Sequence, residues 1–147
     1  MESLFHTETH KTIIKRLDSL NPDSTASWGK MNVSQMLNHC QKPLEIPLYN
    51  KDFNLNSNFL IKLLFKKSMY DDSKIRKNLP TPKPFKIIEN KDFSTEKTQL
   101  KKLIEDFYEL RSKDSFQPHP VFGNFTPSQW GQMQYKHLDH HFTQFGV

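Results

Sequence analysis

The chain has 147 residues, 35% of them hydrophobic and 25% charged, and a formal net charge of +5. That length is one domain's worth, 1–147, with enough chain to bury a single core. The single cysteine excludes an internal disulfide framework or a cysteine-based zinc ribbon, no apolar run approaches the ~18 residues of a membrane span, and the polar stretch from Met1 to His10 lacks the apolar core of a secretory signal. A cytoplasmic protein is the expectation. Twelve Phe, four Tyr and two Trp against only four Gly favour helices over a turn-rich sandwich.

The first helix is predicted from about Glu8 to Leu20, where Ile13, Ile14, Leu17 and Leu20 recur at helical spacing and Asn21-Pro22 stops it. The second begins after Asn32, which with Gln35 forms a capping-box pattern. It carries Val33, Met36, Leu37, Cys40 and Leu44. Pro43 should kink or shorten it, and Pro47 should end it nearby.

A long crossover follows, and the charge sits there. Residues 1–50 sum to zero, 51–91 to +6 and 92–147 to −1. Lys62, Lys66, Lys67, Lys74, Arg76 and Lys77 would serve a nucleic acid if they shared one face with aromatics, but a solvated loop region is the preferred reading. Within it, Phe59, Leu60, Leu63 and Leu64 share a helical face with Lys62 and Lys66 away from it. That pattern predicts a short helix docked on the domain, in preference to one lying on a membrane. Pro80, Pro82 and Pro84 predict an extended stretch.

The third long helix is expected from about Ser94 to Ser112, with Leu100, Leu103, Ile104, Phe107, Tyr108 and Leu110 as its apolar stripe. The fourth is the best marked. Thr126 caps it, Pro127 takes its first position, Gln129 completes the box, and Gly146 follows Phe145 as the stop. Gly131 near its start costs about 1 kcal/mol of helix propensity, which points to a close approach by another backbone. Four long helices without strands predict an all-α four-helix bundle, with a long crossover between helices two and three that carries a short extra helix.

Seven histidines are an excess. On the last helix Trp130, Gln134, His137 and His141 fall within about 60° of arc. His137 and His141, four apart, can reach one ion at about 2.0–2.1 Å per bond. A pair at that spacing arises by chance in roughly a third of chains this rich in histidine. Its place near the inward edge of an amphipathic helix demands a metal or a set of hydrogen bonds. His39, flanked by Met36, Leu37 and Cys40, offers a third ligand. Three neutral imidazoles with an open fourth position make a catalytic-type site, where an ion lowers the pKa of water toward 7. Cys40 points about 100° away and is read as core. By position only, His140 and His119 are candidate catalytic groups. His119 in a Pro118–Pro120 turn, and His6 and His10 facing solvent, have plainer readings.

The stretch Trp28-Gly29-Lys30-Met31-Asn32-Val33-Ser34-Gln35-Met36-Leu37-Asn38-His39, with His119-Pro120-Val121-Phe122-Gly123-Asn124-Phe125-Thr126 and Trp130 to Gly146, resembles the DinB/YfiT-like superfamily, specifically its small branch of domains of unknown function. The resemblance implies an up-up-down-down four-helix bundle, often a homodimer, with a zinc or nickel ion on His39, His137 and His141. The last-helix pattern H-x-x-H-H-x-x-Q of that family fits His137, His140, His141 and Gln144. Where the family often has Arg-Gly after the paired histidines, this chain has Phe142-Thr143. The activities implied are metal-dependent hydrolysis or thiol-dependent S-transfer on a small molecule, with a low-molecular-weight thiol as a partner. The alternative is a non-catalytic module that binds a protein or nucleic acid through residues 51–91, with structural histidines.

Overall fold

Five α-helices form among the described residues: α1 Thr7–Ser19, α2 Val33–Tyr49, α3 Phe59–Phe65, α4 Phe93–Glu109 and α5 Pro127–Gln144. They come from a computed structural model that describes residues 1–55 and 59–147, with the backbone only at Phe59 and Ile61. No strand occurs among these residues, and an isolated backbone bridge joins His119 to Gly123. The chain is all-α. No helix among the described residues is long and apolar enough to cross a membrane.

Capping decides where the long helices begin. Asn32 Oδ1 accepts from Gln35 N–H at 2.9 Å and Gln35 Oε1 accepts from Asn32 N–H at 3.0 Å. Thr126 and Gln129 repeat the exchange at 3.2 and 2.9 Å, with Pro127 at the first helical position. α4 starts at Phe93, one residue before the expected Ser94, because Asp92 Oδ1 accepts from Thr95 N–H at 2.8 Å. Its end tightens into a 3-10 turn, Leu110–Ser112. Gly146, at φ +78°, follows α5 as its expected stop.

α2 is not shortened at Pro43, and it ends near Pro47 as expected. It runs through both Pro43 and Pro47 to Tyr49. Each proline lacks an N–H, so the carbonyls of His39 and Pro43 lose their ladder partners. The Pro43 carbonyl instead accepts from Gln134 Nε2 of α5 at 2.8 Å.

α2 packs chiefly along α4, and α5 lies against both α1 and α2. Ile13 and Leu17 of α1, Met36, Leu37 and Leu44 of α2, Leu100, Leu103, Ile104 and Phe107 of α4, and Trp130, Leu138 and Phe142 of α5 are wholly buried. Each such side chain contributes about 1.5–3 kcal/mol, so the apolar stripes orient the helices. Cys40 lies in this core beside Met36 Sδ at 3.6 Å, and burial pushes its thiol pKa up. Polar pairs fix the α2–α4 register: Asn38 Nδ2 and Gln41 Nε2 donate to Glu96 Oε2 at 2.8 and 2.7 Å. Gly131 has the close neighbour its sequence position implied. The N-terminal segment crosses it, Leu4 N–H donating to the Gly131 carbonyl at 3.0 Å. An added Cβ there would lie 2.8 Å from Phe5 Cδ2 and closer still to Ser3 Oγ.

The crossover differs most from expectation. α3 forms, but its apolar face does not dock: Leu60, Leu63 and Leu64 are 63%, 64% and 67% exposed. Phe59, expected on that face, has a side chain outside the described residues. Among the described side chains, Lys66 just past the end of α3 reaches the domain, its Nζ donating to the Asn124 carbonyl at 2.6 Å. Residues 68–73 are held by the buried Lys136 of α5, whose Nζ donates to the carbonyls of Ser68 and Asp71 at 2.6 and 3.0 Å and to Asp71 Oδ1 at 2.8 Å. Pro82 is extended at φ −53° and ψ 142°, but Pro84 sits in a 3-10 turn, Lys83–Phe85. That turn delivers a carbonyl to the site.

Candidate metal centre

Three imidazoles meet where α2 faces α5. His39 comes from the middle of α2, and His137 and His141 from successive turns of α5. One ring nitrogen from each lies within 4.8 Å of the other two. The ring centroids of His39 and His137 are 5.1 Å apart, and those of His39 and His141 are 4.7 Å apart. His39 and His141 are buried, and His137 is partly so.

Hydrogen bonds set the free nitrogens. His39 Nδ1 lies 2.9 Å from the Phe85 carbonyl, which can only accept, so Nδ1 carries the proton and Nε2 is bare. His141 Nδ1 lies 2.8 Å from Gln144 Oε1. That amide is oriented by its other end, since Gln144 Nε2 donates to the Trp28 carbonyl at 2.5 Å. His141 Nδ1 is therefore the donor and its Nε2 is bare. A metal-ligating histidine almost always donates its second N–H to a carbonyl or carboxylate in this way. His39 Nε2 and His137 Nε2 are 3.1 Å apart, near the ~3.3 Å that a tetrahedral ion with ~2.05 Å bonds imposes on two ligand nitrogens.

Electrostatics keeps the rings neutral. Burial lowers the pKa of His39, against the opposing pull of the Phe85 carbonyl. Burial and the neighbouring histidines lower His137 well below its usual value. His141 falls to about 3, mainly through burial and then through His39, with Gln144 opposing. Neutral imidazoles are the ligating form, so the residues fit a divalent ion.

Gly29 shapes the outer edge. Its φ is +86°, and a Cβ there would lie 2.5 Å from Gln144 Nε2, so a side chain would push away the amide that orients His141. Trp28 lies over His140 with ring centroids 5.7 Å apart, and Lys77 Nζ sits 4.2 Å above the indole.

The remaining histidines scatter. His140 is half-buried at the rim, its ring centroid 5.0 Å from that of His141. His119 is buried elsewhere, with its ring 5.5 Å from Trp130, about 10 Å along α5 from His137 at 1.5 Å per residue. Its Nδ1 accepts from the amides of Val121 and Phe122 at 3.0 and 3.3 Å, and burial lowers its pKa to about 4. His6 is exposed as expected, whereas His10 is half-buried and stacks on Tyr108 at 4.1 Å. Asp139 is held away from the site by Arg16 of α1, Nη1 to Oδ1 at 2.6 Å. Sequence reading named Gln144 only as part of the last-helix pattern and missed Phe85. Gln144 had the signal of an i,i+3 partner to His141, but Phe85 is 46 residues from His39 and acts through its backbone, which no residue type announces.

Residues 2–146 match the model of a family described as "Protein of unknown function (DUF1569)", and the chain belongs to that family. No curated protein and no solved structure matches it.

Proposed function

We propose that this chain is a DinB/YfiT-type metalloenzyme. In this reading α1, α2, α4 and α5 form an up-up-down-down four-helix bundle with the segment between α2 and α4 as its crossover, and His39, His137 and His141 hold one zinc or nickel ion. The substrate is a small molecule, and the reaction is hydrolysis or thiol-dependent S-transfer. One observation carries the reading: His39 and His141, each held by a hydrogen bond at Nδ1, bring a ring nitrogen within 4.8 Å of one another and of one from His137.

A bound divalent ion supplies Lewis acidity, which makes water or a thiol acidic near neutral pH. The chain's part is positioning. Phe85 and Gln144 fix two ring planes, the apolar residues around His39 keep the site dry, and three protein ligands leave a fourth direction for substrate. His140 is the proposed proton-handling group at the rim, between His141 and Trp28. His119 was the second candidate, and its bonds to the 121–122 amides suit a turn-former better. Between the two reactions, Phe142 favours hydrolysis, because the position that often holds Arg in the resembling family is wholly buried here and offers a thiol nothing. The single buried cysteine is in keeping with a reduced, cytoplasmic setting.

The competing reading, a binding module built on residues 51–91, finds less support. Lys51, Lys66 and Lys77 are already engaged by Glu45, the Asn124 carbonyl and the Trp28 ring. Elemental analysis of protein purified without a His tag separates the two. The metal reading expects close to one equivalent of Zn or Ni, lost in His39→Ala and His137→Ala. Protein that holds no metal and takes up none sinks it.

A further inference from the structure

The turn that leaves α2 is strained at a ring. Four residues other than glycine take a positive φ among the described residues, and three of them, Asn50, Phe53 and Asn54, fall within five positions. Asparagine tolerates that backbone because its short side chain bonds locally. Phe53, at φ +57°, is the outlier, since a bulky side chain crowds its own backbone there. The turn closes around it: Asp52 Oδ1 accepts from Asn54 N–H at 2.7 Å, and the Asp52 carbonyl accepts from Leu55 N–H at 3.3 Å. Strain of this kind persists only where the surroundings over-determine it.

The surroundings lead to the metal centre. Phe53 meets Phe85 edge to face, with centroids 5.3 Å apart and planes at 88°. Lys51 Nζ sits 4.5 Å over the Phe53 ring, within cation–π reach, and pairs with Glu45 Oε2 of α2 at 2.5 Å. The Phe85 ring in turn lies edge-on to His39 at 6.3 Å, and the Phe85 carbonyl takes the His39 Nδ1–H at 2.9 Å. The path from Glu45 through Lys51, Phe53 and Phe85 to His39 leaves α2 and returns to it six residues away, about 9 Å along the helix. The shape of the Lys83–Phe85 turn is fixed by its prolines and by Phe85 N–H donating to the Pro82 carbonyl at 2.9 Å. Its distance from α2 is a separate matter. Gln35 Nε2 of α2 ties the chain at the Glu89 carbonyl, 3.3 Å away, and Phe53 meets it at Phe85.

We propose that Phe53 is a positioning residue of the metal centre, its ring clamping Phe85 so that the Phe85 carbonyl is held against His39. This rests on the three-histidine centre and extends it one layer outward. The strain then has a use. A turn with glycine or asparagine at position 53 would be relaxed, but it would put no ring on Phe85. The left-handed backbone at Phe53 aims that ring back toward α2, and Lys51, anchored on Glu45, closes over it. Groups that hold a ligating histidine by its second nitrogen set metal affinity nearly as strongly as the ligand does, so a residue that fixes such a group acts on affinity through it.

The test compares Phe53→Asn with Phe53→Tyr in the full chain. Asparagine suits the left-handed backbone and lacks the ring, whereas tyrosine keeps the ring. Chelator competition is expected to show Phe53→Asn binding Zn²⁺ roughly 10-fold more weakly, the low end for groups that support a ligand, and Phe53→Tyr binding within twofold of the unaltered chain. Urea unfolding in excess chelator is expected to change little in Phe53→Asn, because relief of strain offsets lost packing. In the zinc-loaded chain, NMR is expected to show the His39 Nδ1–H of Phe53→Asn exchanging faster with solvent, and the His141 Nδ1–H, held by Gln144, unchanged. Packing alone would move the urea midpoint and leave affinity and both ring protons where they are. If Phe53→Asn does not fold, Phe53→Leu is read in its place. An affinity within twofold of the unaltered chain overturns the proposal, as does equal loss of protection at His39 and His141. In those cases the metal centre stands, provided that the unaltered chain binds zinc and His39→Ala does not. If the unaltered chain takes up no zinc, the centre falls and this inference with it.

Discussion

Replacing Gln144 with Leu should damage metal binding and stability by separable amounts. Gln144 accepts from His141 Nδ1–H at 2.8 Å and donates to the Trp28 carbonyl at 2.5 Å, and it is 3% exposed. Leucine keeps the bulk but strands a buried N–H and a backbone carbonyl. Each stranded group costs about 1–3 kcal/mol, so urea unfolding in excess chelator should show a loss of roughly 2–6 kcal/mol. His141 would also lose the bond that holds Nδ1 protonated and Nε2 bare, which should weaken zinc roughly 10- to 100-fold. Gln144→Glu separates the two effects: a carboxylate still accepts from His141 but cannot donate to Trp28, so zinc affinity should largely survive while stability falls. If Gln144→Leu binds zinc as tightly as the unaltered chain, Gln144 does not orient a ligand and the centre is wrongly drawn.

Metal-free protein should lose stability in acid partly through His119. Its pKa is about 4 in the fold against 6.5 for an ordinary histidine, so the unfolded chain binds the extra proton and stability falls as pH drops from about 6.5 toward 4. At about 1.4 kcal/mol per unit the full effect is roughly 3 kcal/mol, and His119→Gln should flatten that part of a plot of unfolding free energy against pH. Asp71 acts lower. Lys136 and Ser73 hold its pKa at about 2 against 3.8, so its contribution is present above 3.8 and lost as pH falls through 2, a slope that Asp71→Asn should remove. Gly131→Ala gains about 1 kcal/mol of helix propensity but forces a Cβ against Phe5, itself stacked on Phe107 at 4.6 Å. A net loss of about 1–3 kcal/mol is expected in thermal unfolding, and a stabilised variant would show that the N-terminal segment yields. Lys136→Met should free residues 68–73, read as faster amide exchange there with the helices still protected.

Features that depend on local spacing were legible. The capping boxes at Asn32 and Thr126, the buried stripes of the long helices and the i,i+4 pair His137–His141 are written within a few residues of one another. What depended on distant backbone was not. The Pro43 carbonyl, which Pro47 leaves without a ladder partner, accepts from Gln134, 91 residues away, and no local rule contains that partner. α3 misled for a related reason. Its apolar pattern is real, but Leu60, Leu63 and Leu64 stay exposed while Lys66 reaches the Asn124 carbonyl, so periodicity identified the helix but not which of its described side chains meet the protein.

The prolines and the basic crossover, which read as a flawed helix and a charged loop, both end at the histidines. Pro47 frees a carbonyl that accepts from Gln134 of α5, the helix that carries His137 and His141. Pro82 and Pro84 frame the turn whose Phe85 carbonyl holds His39. Lys77 lies on the indole at the rim. An interior proline costs a helix about 3 kcal/mol, and α2 carries two of them within nine residues of His39. A chain selected only for a stable all-helical core gains nothing from that. A chain that must tie α2 to α5 close to His39 gains the bond from Gln134 to the Pro43 carbonyl.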